Sequence, residues 1–132
     1  RKVHQVEQPE SAAKITYVSL SCLHCEDAPC AAACPTGAIS KDPASGAVTV
    51  RSEVCVGCRT CLLACPFGAP GYGSDGKMQK CDLCSERVAS GLEPACVAAC
   101  PTKALAFGEP NRLAEATQAK YARKLATSRG AG

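Results

Sequence analysis

Cysteine is the residue with the clearest capacity for chemistry in this sequence, with 12 copies in a chain of 132 residues. The cysteines form three sets of four, and each set ends in Cys-x3-Cys-Pro. The sets are Cys22, Cys25, Cys30 and Cys34; Cys55, Cys58, Cys61 and Cys65; and Cys81, Cys84, Cys96 and Cys100. Thiolates at such short spacings are typical ligands of zinc and of iron–sulfur clusters. The sequence therefore predicts a protein whose cysteines bind metal.

A disulfide framework is the first alternative, because this density of cysteine is typical of small secreted proteins. The spacing disfavours it. Most of the cysteines lie in pairs separated by two residues, or in triplets built from such pairs. Cysteines so close in sequence face one common centre more readily than they form unstrained bridges.

The second set has the spacing C-x2-C-x2-C-x3-C-P, which is the typical run of bacterial iron–sulfur proteins. Three thiolates in one tight loop bind the same cubic cluster, and the fourth, displaced by a helical turn, reaches a different cluster. The first two sets are therefore predicted to exchange their last cysteines. One cluster is held by Cys22, Cys25, Cys30 and Cys65, and the other by Cys55, Cys58, Cys61 and Cys34.

The third set is predicted to close a third [4Fe–4S] cluster by itself. Its ligands are Cys81, Cys84, Cys96 and Cys100. The eleven-residue gap before Cys96 is long enough for the two late cysteines to fold back. This spacing of two pairs is also acceptable for zinc, so a structural zinc protein is the alternative from a different functional class.

Short elements must position these cysteines. The alternating run 15–20 predicts a strand that ends at Cys22. Residues 30–34 predict one helical turn, which Pro35 stops. Residues 39–41 and 47–51 flank a turn containing proline and glycine, and they predict a hairpin.

The same order then repeats. A cysteine loop starts at Cys55, a short helix follows through residues 62–64, and Pro66 stops it. This indicates an internal duplication of about thirty residues. Residues 67–76 predict a loop, and residues 111–128 predict a helix with Leu113, Tyr121 and Leu125 near one face.

These predictions describe an α+β fold, with a bacterial two-[4Fe–4S] ferredoxin-like core and an extension that binds a third [4Fe–4S] cluster. The expected organisation is an N-terminal segment (1–14), the two-cluster core (15–72), a third-cluster segment (73–108), and a C-terminal helix and tail (109–132). His24 is expected to be an exposed structural residue. Lys80 and Lys103 flank the third set, where they are expected to be solvated or to raise its potential.

The charge pattern and motifs exclude several functions. The formal net charge is +3, but that count treats the thiols as neutral, and three clusters would shift it to roughly −3. Lysine and arginine are scattered without interleaved aromatic residues, so nucleic-acid binding is not expected. The longest uncharged stretch, residues 61–74, is too short and too rich in proline and glycine to span a membrane as a helix. No catalytic constellation is present, so the chain is predicted not to be an enzyme by itself.

The motifs together resemble the iron–sulfur subunits of the dimethyl sulfoxide reductase superfamily, the ferredoxin-like beta subunits of molybdenum and tungsten enzymes such as formate dehydrogenase. The resemblance covers residues 15–108. The stretches that carry it are SCLHCEDAPC (21–30), CPTGA (34–38), CPFGAP (65–70) and KCDLC (80–84). Such subunits commonly have a fourth cysteine set ahead of these three, and the opening residues look like sequence that follows it. We therefore expect this chain to be truncated or processed.

The resemblance implies an electron-transfer subunit. It would relay electrons between a large catalytic subunit with a molybdenum or tungsten pterin and an external acceptor or donor, and a further electron-transfer or membrane subunit can join such complexes. A hydrogenase subunit or a free-standing polyferredoxin is the alternative. The expected location is the cytoplasm, with export of the folded chain beside a signal-bearing partner as the other option.

Overall fold

The computed structural model describes residues 1–10 and 14–129. The chain divides into two compact units, Arg1–Ser85 and Glu86–Gly132. The strands are β1 (Lys2–Glu7), β2 (Ile15–Leu20), β3 (Ile39–Lys41), β4 (Val48–Val50), β5 (Gly71–Tyr72) and β6 (Met78–Gln79). The helices are α1 (Pro29–Ala32), α2 (Thr60–Ala64), α3 (Ser85–Ala89), α4 (Ala95–Ala98) and α5 (Pro110–Arg129). This mixture of short helices and strands confirms the α+β class.

The first unit begins with an antiparallel ribbon of β1 and β2, in which Lys2 pairs with Leu20 and Glu7 with Ile15. The strand β2 has the predicted bounds, whereas β1 was not predicted from the mixed polar segment 1–14. That segment lacks a regular alternation of apolar and polar residues, so its strand forms through pairing with β2. Residues 11–13 of the expected N-terminal segment lie outside the described residues.

The hairpin of β3 and β4 confirms the prediction for this part of the chain, with β4 one residue shorter at each end. Its turn is organised by Asp42, whose carboxylate accepts hydrogen bonds from the backbone N–H groups of Ala44 and Ser45 at 3.2 and 3.1 Å. Hydrogen bonds from the Ser45 side chain and from these N–H groups lower the pKa of Asp42. The turn therefore holds its aspartate as the anion.

The core of the first unit is small. Buried side chains from α1, β3, β4, α2 and β6 form one cluster, and its members are Cys30, Ile39, Val48, Cys61 and Met78. Two of the five are cysteines that were predicted to bind metal. The apolar core and the cysteine sites therefore share the same buried region of the first unit.

The loop expected over residues 67–76 is interrupted by β5, which pairs with β6 in a two-stranded sheet. A turn joins them, with a hydrogen bond from the N–H of Gly73 to the carbonyl of Lys77 at 3.0 Å. Strands of two residues carry no periodicity that a sequence pattern can detect. The expectation of a continuous loop was wrong for this reason.

The second unit contains α4, with Val97 buried, and the long helix α5. The carboxylate of Glu109 accepts hydrogen bonds from the N–H groups of Asn111 and Arg112, both at 3.1 Å, and caps the start of α5. This confirms the predicted helix and extends it by one residue at each end. Tyr121 on this helix is 62% exposed. Within the described ranges, none of the helices has the length and apolarity required for crossing a membrane.

Candidate metal centres

Four cysteines from distant parts of the chain line one cavity, which we call the first cysteine cavity. They are Cys22, Cys25, Cys30 and Cys65. Cys22 follows β2, Cys30 lies on α1, and Cys65 follows α2 directly. The rest of the lining is mostly apolar, with Val48 and Phe67 among its residues.

A second cavity is lined by the complementary four cysteines. In this second cysteine cavity they are Cys34, Cys55, Cys58 and Cys61. Ile39, Tyr72 and Met78 are among its other lining residues. Each cavity thus contains three cysteines of one set and the last cysteine of the other set.

The exchange of Cys34 and Cys65 follows from the placement of α1 and α2, which pack against each other. Each helix carries the third cysteine of its set, and the fourth cysteine lies just beyond the helix end. A helical turn separates the third from the fourth cysteine. The fourth cysteine consequently lines the cavity of the neighbouring set.

The loops that begin each set share one left-handed residue. The residue before the second cysteine is left-handed in all three, with φ of 47° at His24, 69° at Gly57 and 62° at Leu83. Side chains rarely adopt this conformation without a specific reason. At Gly57 the reason for glycine is close approach, because a Cβ atom would lie 2.6 Å from the carbonyl oxygen of Gly76.

The turns that end each set are also alike. The carbonyl of the last cysteine accepts a hydrogen bond from the residue three positions later, and these donors are Gly37 (3.2 Å), Gly68 (3.3 Å) and Lys103 (3.2 Å). All three donors are left-handed, with φ of 62°, 60° and 51°. The third set therefore shares these two left-handed positions with the first two sets, but it differs at its second cysteine, since Cys84 is left-handed (φ 53°) and Cys25 and Cys58 are not.

Backbone N–H groups donate to cysteine sulfur in all three sets. His24 donates to Sγ of Cys22 at 3.4 Å, Met78 to Cys55 at 3.5 Å, and Ala104 to Cys100 at 3.3 Å. Such donors stabilise a thiolate, the form of cysteine that binds iron.

Threonine side chains also lower the pKa of cysteine thiols and so favour the thiolate. A hydrogen bond with the Thr102 side chain, assisted by backbone N–H groups, lowers the pKa of Cys100 to about 7. The Thr60 side chain donates to Sγ of Cys58 at 3.4 Å and lowers the pKa of that thiol. Burial has the opposite effect on Cys30 and raises its pKa. The lowered pKa values of Cys58 and Cys100 thus favour the thiolate, the form that binds metal.

His24 differs from the expectation of an exposed histidine, because it is half-buried. Its Nδ1 accepts the backbone N–H of Val48 at 2.9 Å, so the neutral ring carries its proton on Nε2. Burial, followed by the charge of Lys80, lowers the pKa of His24. Nε2 is buried and has no partner among the described residues. A buried donor requires an acceptor, and a sulfur-rich group in this region fits that requirement.

The third set is distributed over both units. Cys81 and Cys84 follow β6 in the first unit, whereas Cys96 lies on α4 and Cys100 follows it in the second unit. No group of three or more histidine, cysteine, aspartate or glutamate side chains in residues 1–10 and 14–129 is placed to hold a single metal ion.

Sequence reasoning missed Tyr72 as a site residue. Its hydroxyl group lies 3.3 Å from Sγ of Cys61, and the guanidinium of Arg59 lies 5.5 Å from the centre of its ring. Burial and the hydrogen bond with Cys61 raise the pKa of Tyr72 to about 12. No motif marks this tyrosine, because it reaches the cavity only through the short pairing of β5 with β6.

Comparison with known proteins gives consistent matches. A family model described as 4Fe-4S dicluster domain matches residues 13–110. The sequence is 51% identical over 98 residues to the B subunit of the anaerobic dimethyl sulfoxide reductase of Escherichia coli (strain K12), covering 74% of this chain and 47% of that relative. It is 42% identical over 103 residues to the nitrate-inducible formate dehydrogenase iron-sulfur subunit of Escherichia coli (strain K12), covering 77% and 35%. It is 38% identical over 115 residues to the hydrogenase-2 operon protein HybA of Escherichia coli O157:H7, covering 82% and 35%. The chain thus spans about half the length, or less, of these relatives.

Proposed function

Because the chain belongs to the 4Fe-4S dicluster family, we propose that it is an electron-transfer subunit that relays single electrons between a catalytic subunit with a molybdenum or tungsten pterin and an external acceptor or donor. The predicted resemblance to iron–sulfur subunits of the dimethyl sulfoxide reductase superfamily is confirmed by the identity to the B subunit of such a reductase. The chain binds 4Fe-4S clusters, and the identity of its partner is part of the proposal.

The observation that carries this function is the exchange of Cys34 and Cys65 between the two cysteine cavities. It supports two adjacent [4Fe–4S] clusters with crossed ligation. Cys22, Cys25, Cys30 and Cys65 would hold one cluster, and Cys55, Cys58, Cys61 and Cys34 the other. When bound, such clusters accept and release one electron at a time.

The third cluster rests on sequence spacing and on two left-handed positions that all three sets share. Leu83 has the left-handed conformation of His24 and Gly57, and Lys103 has that of Gly37 and Gly68. These turns support a loop of the same kind at both ends of the third set. We assign its ligands as Cys81, Cys84, Cys96 and Cys100.

Residues next to the cysteines stabilise the proposed cluster sites. Backbone N–H groups and threonine hydroxyls favour the thiolate form of cysteine, as at Cys58 and Cys100. The prolines after each last cysteine end the helical turns and shape the loops around the cavities. Substrate chemistry then belongs to the partner subunit.

Purification of the full natural protein with its partners tests this function. The chain should be tagged in its source organism and isolated without oxygen, and the bound proteins and metals should be identified. A larger subunit with a pterin and molybdenum or tungsten is expected. A stable monomer without a large partner would instead indicate a polyferredoxin.

A hydrogenase partner is the second candidate, favoured by the 38% identity to the hydrogenase-2 operon protein HybA. The same purification distinguishes it, because the co-purifying large subunit would then have hydrogenase activity and would lack molybdenum and tungsten.

A further inference from the structure

Lys80 lies at a cysteine cavity that its place in the sequence does not predict. It precedes Cys81 of the third set, yet its side chain lines the first cysteine cavity, together with Cys30 and Val48. Its Nζ donates a hydrogen bond to the backbone carbonyl of Val48 and another to that of Cys81, the latter at 3.0 Å. Val48 has the largest side chain among the fully buried ones described. The ammonium group is therefore held at the wall of this cavity by two carbonyl groups.

Few charged groups surround Lys80 at this cavity. Among the described residues that line the first cysteine cavity, it is the only charged one, and the others are cysteines and apolar side chains. Lys80 is half-buried and also lines an open cavity with Cys22, Phe67 and Cys81, so water screens part of its charge. No carboxylate among the described lining residues compensates the ammonium.

We propose that Lys80 raises the reduction potential of the cluster held by Cys22, Cys25, Cys30 and Cys65. This inference rests on the proposed function. One electron from a redox partner changes the charge of a [4Fe–4S] cluster with four thiolates from about −2 to about −3, and no bond is formed or broken. A fixed positive charge stabilises the more negative state, so reduction becomes more favourable. Lys80 supplies a fixed positive charge near the cluster, and it does not ligate iron.

The test is a potentiometric titration followed by electron paramagnetic resonance on the full natural protein or its complex. Lys80→Met removes the charge with little change in side-chain length, and Lys80→Arg retains it. Lys77→Met is the matched control, because Nζ of Lys77 also donates to a backbone carbonyl, that of Ser52 at 2.6 Å, but lines neither cysteine cavity. A Cys25→Ser variant identifies the signal of the cluster in question.

Lys80→Met is expected to lower the midpoint potential of the signal that Cys25→Ser alters, and to lower it by more than that of the third cluster, whose proposed ligand Cys81 also lies beside the ammonium. Lys80→Arg and Lys77→Met should leave all midpoints unchanged. An unshifted midpoint in Lys80→Met with full iron content would overturn the proposal, as would a shift confined to a different cluster. Loss of that cluster in both Lys80→Met and Lys80→Gln would overturn it too, because Lys80 would then be needed for assembly. A wild-type chain without any cluster would contradict the proposed function instead.

Discussion

At the scale of single residues, different polar groups lie at the two cysteine cavities. Lys80 lines the first cavity, and the hydroxyl of Tyr72 contacts Cys61 in the second. A cysteine that binds iron is a thiolate and can only accept a hydrogen bond, so the tyrosine must be the donor. Hydrogen bonds to ligand sulfur raise the reduction potential of a cluster, because they stabilise the added negative charge.

Tyr72→Phe is therefore expected to lower the midpoint potential of the cluster held by Cys55, Cys58, Cys61 and Cys34. The measurement is the same potentiometric titration used for Lys80. Tyr17→Phe is the matched control, since Tyr17 is exposed on β2 and lines neither cavity. Identical midpoints in Tyr72→Phe and wild type would show that this contact has no influence on the cluster.

Cys100→Ser tests the assignment of the third set. Sγ of Cys100 accepts the backbone N–H of Ala104 at 3.3 Å and lies 3.6 Å from the hydroxyl of Thr102. If Cys100 closes the third cluster, the variant should lose about a third of the iron or convert that cluster to a three-iron form with its own paramagnetic signal. Iron analysis and electron paramagnetic resonance measure both outcomes. Unchanged iron and spectra would mean that Cys100 is not a ligand in this chain.

At the scale of elements, the left-handed residues of the cysteine loops determine which substitutions the chain tolerates. Gly57→Ala combines an unfavourable φ with a contact of 2.6 Å between the new Cβ and the carbonyl oxygen of Gly76. Gly37→Ala has the same φ problem, with nothing within 4 Å. The left-handed conformation alone costs a non-glycine residue roughly 1–2 kcal/mol.

We expect Gly37→Ala to lower thermal stability slightly, and Gly57→Ala to lower it more and to reduce iron retention in the second cysteine cavity. Thermal loss of cluster absorbance and iron analysis after purification give the two readouts. Equal effects of the two substitutions would show that the approach of Gly76 imposes no constraint on the loop.

At Lys103 a glycine can be introduced and not removed, because Lys103 occupies the position that glycine occupies in the first two sets. Lys103→Gly relieves the left-handed strain, with an expected net gain of about 0.5–1 kcal/mol after the larger backbone entropy of glycine is subtracted. Lys103→Ala removes the same side chain without relieving the backbone. A higher thermal midpoint should therefore appear in Lys103→Gly and not in Lys103→Ala. The reverse order would argue against strain at this turn.

The sequence predicted the elements that follow from local patterns. The alternation of β2, the turn of the β3–β4 hairpin and the proline after α1 are all encoded within a few residues. The strands β1 and β5 form only through pairing with partners, so local patterns do not reveal them. Contacts such as that of Tyr72 with Cys61 depend on those pairings and could not be predicted. The three-cluster ligand assignment remains a prediction from spacing.

At the scale of the whole molecule, the described residues contain few buried apolar side chains. The core cluster of the first unit has five members, and two of them are cysteines proposed to bind iron. A core of this size provides little stability by itself. We therefore expect the bound clusters to contribute to the fold as well as to electron transfer.

Three [4Fe–4S] clusters held by the twelve cysteines would give the chain a defined content of iron and inorganic sulfide. Both are determined per chain on protein purified without oxygen, by iron analysis and by release of acid-labile sulfide. We predict about twelve iron and about twelve sulfide per chain. About eight of each would contradict the third cluster, and stoichiometric zinc without sulfide would contradict iron–sulfur binding altogether.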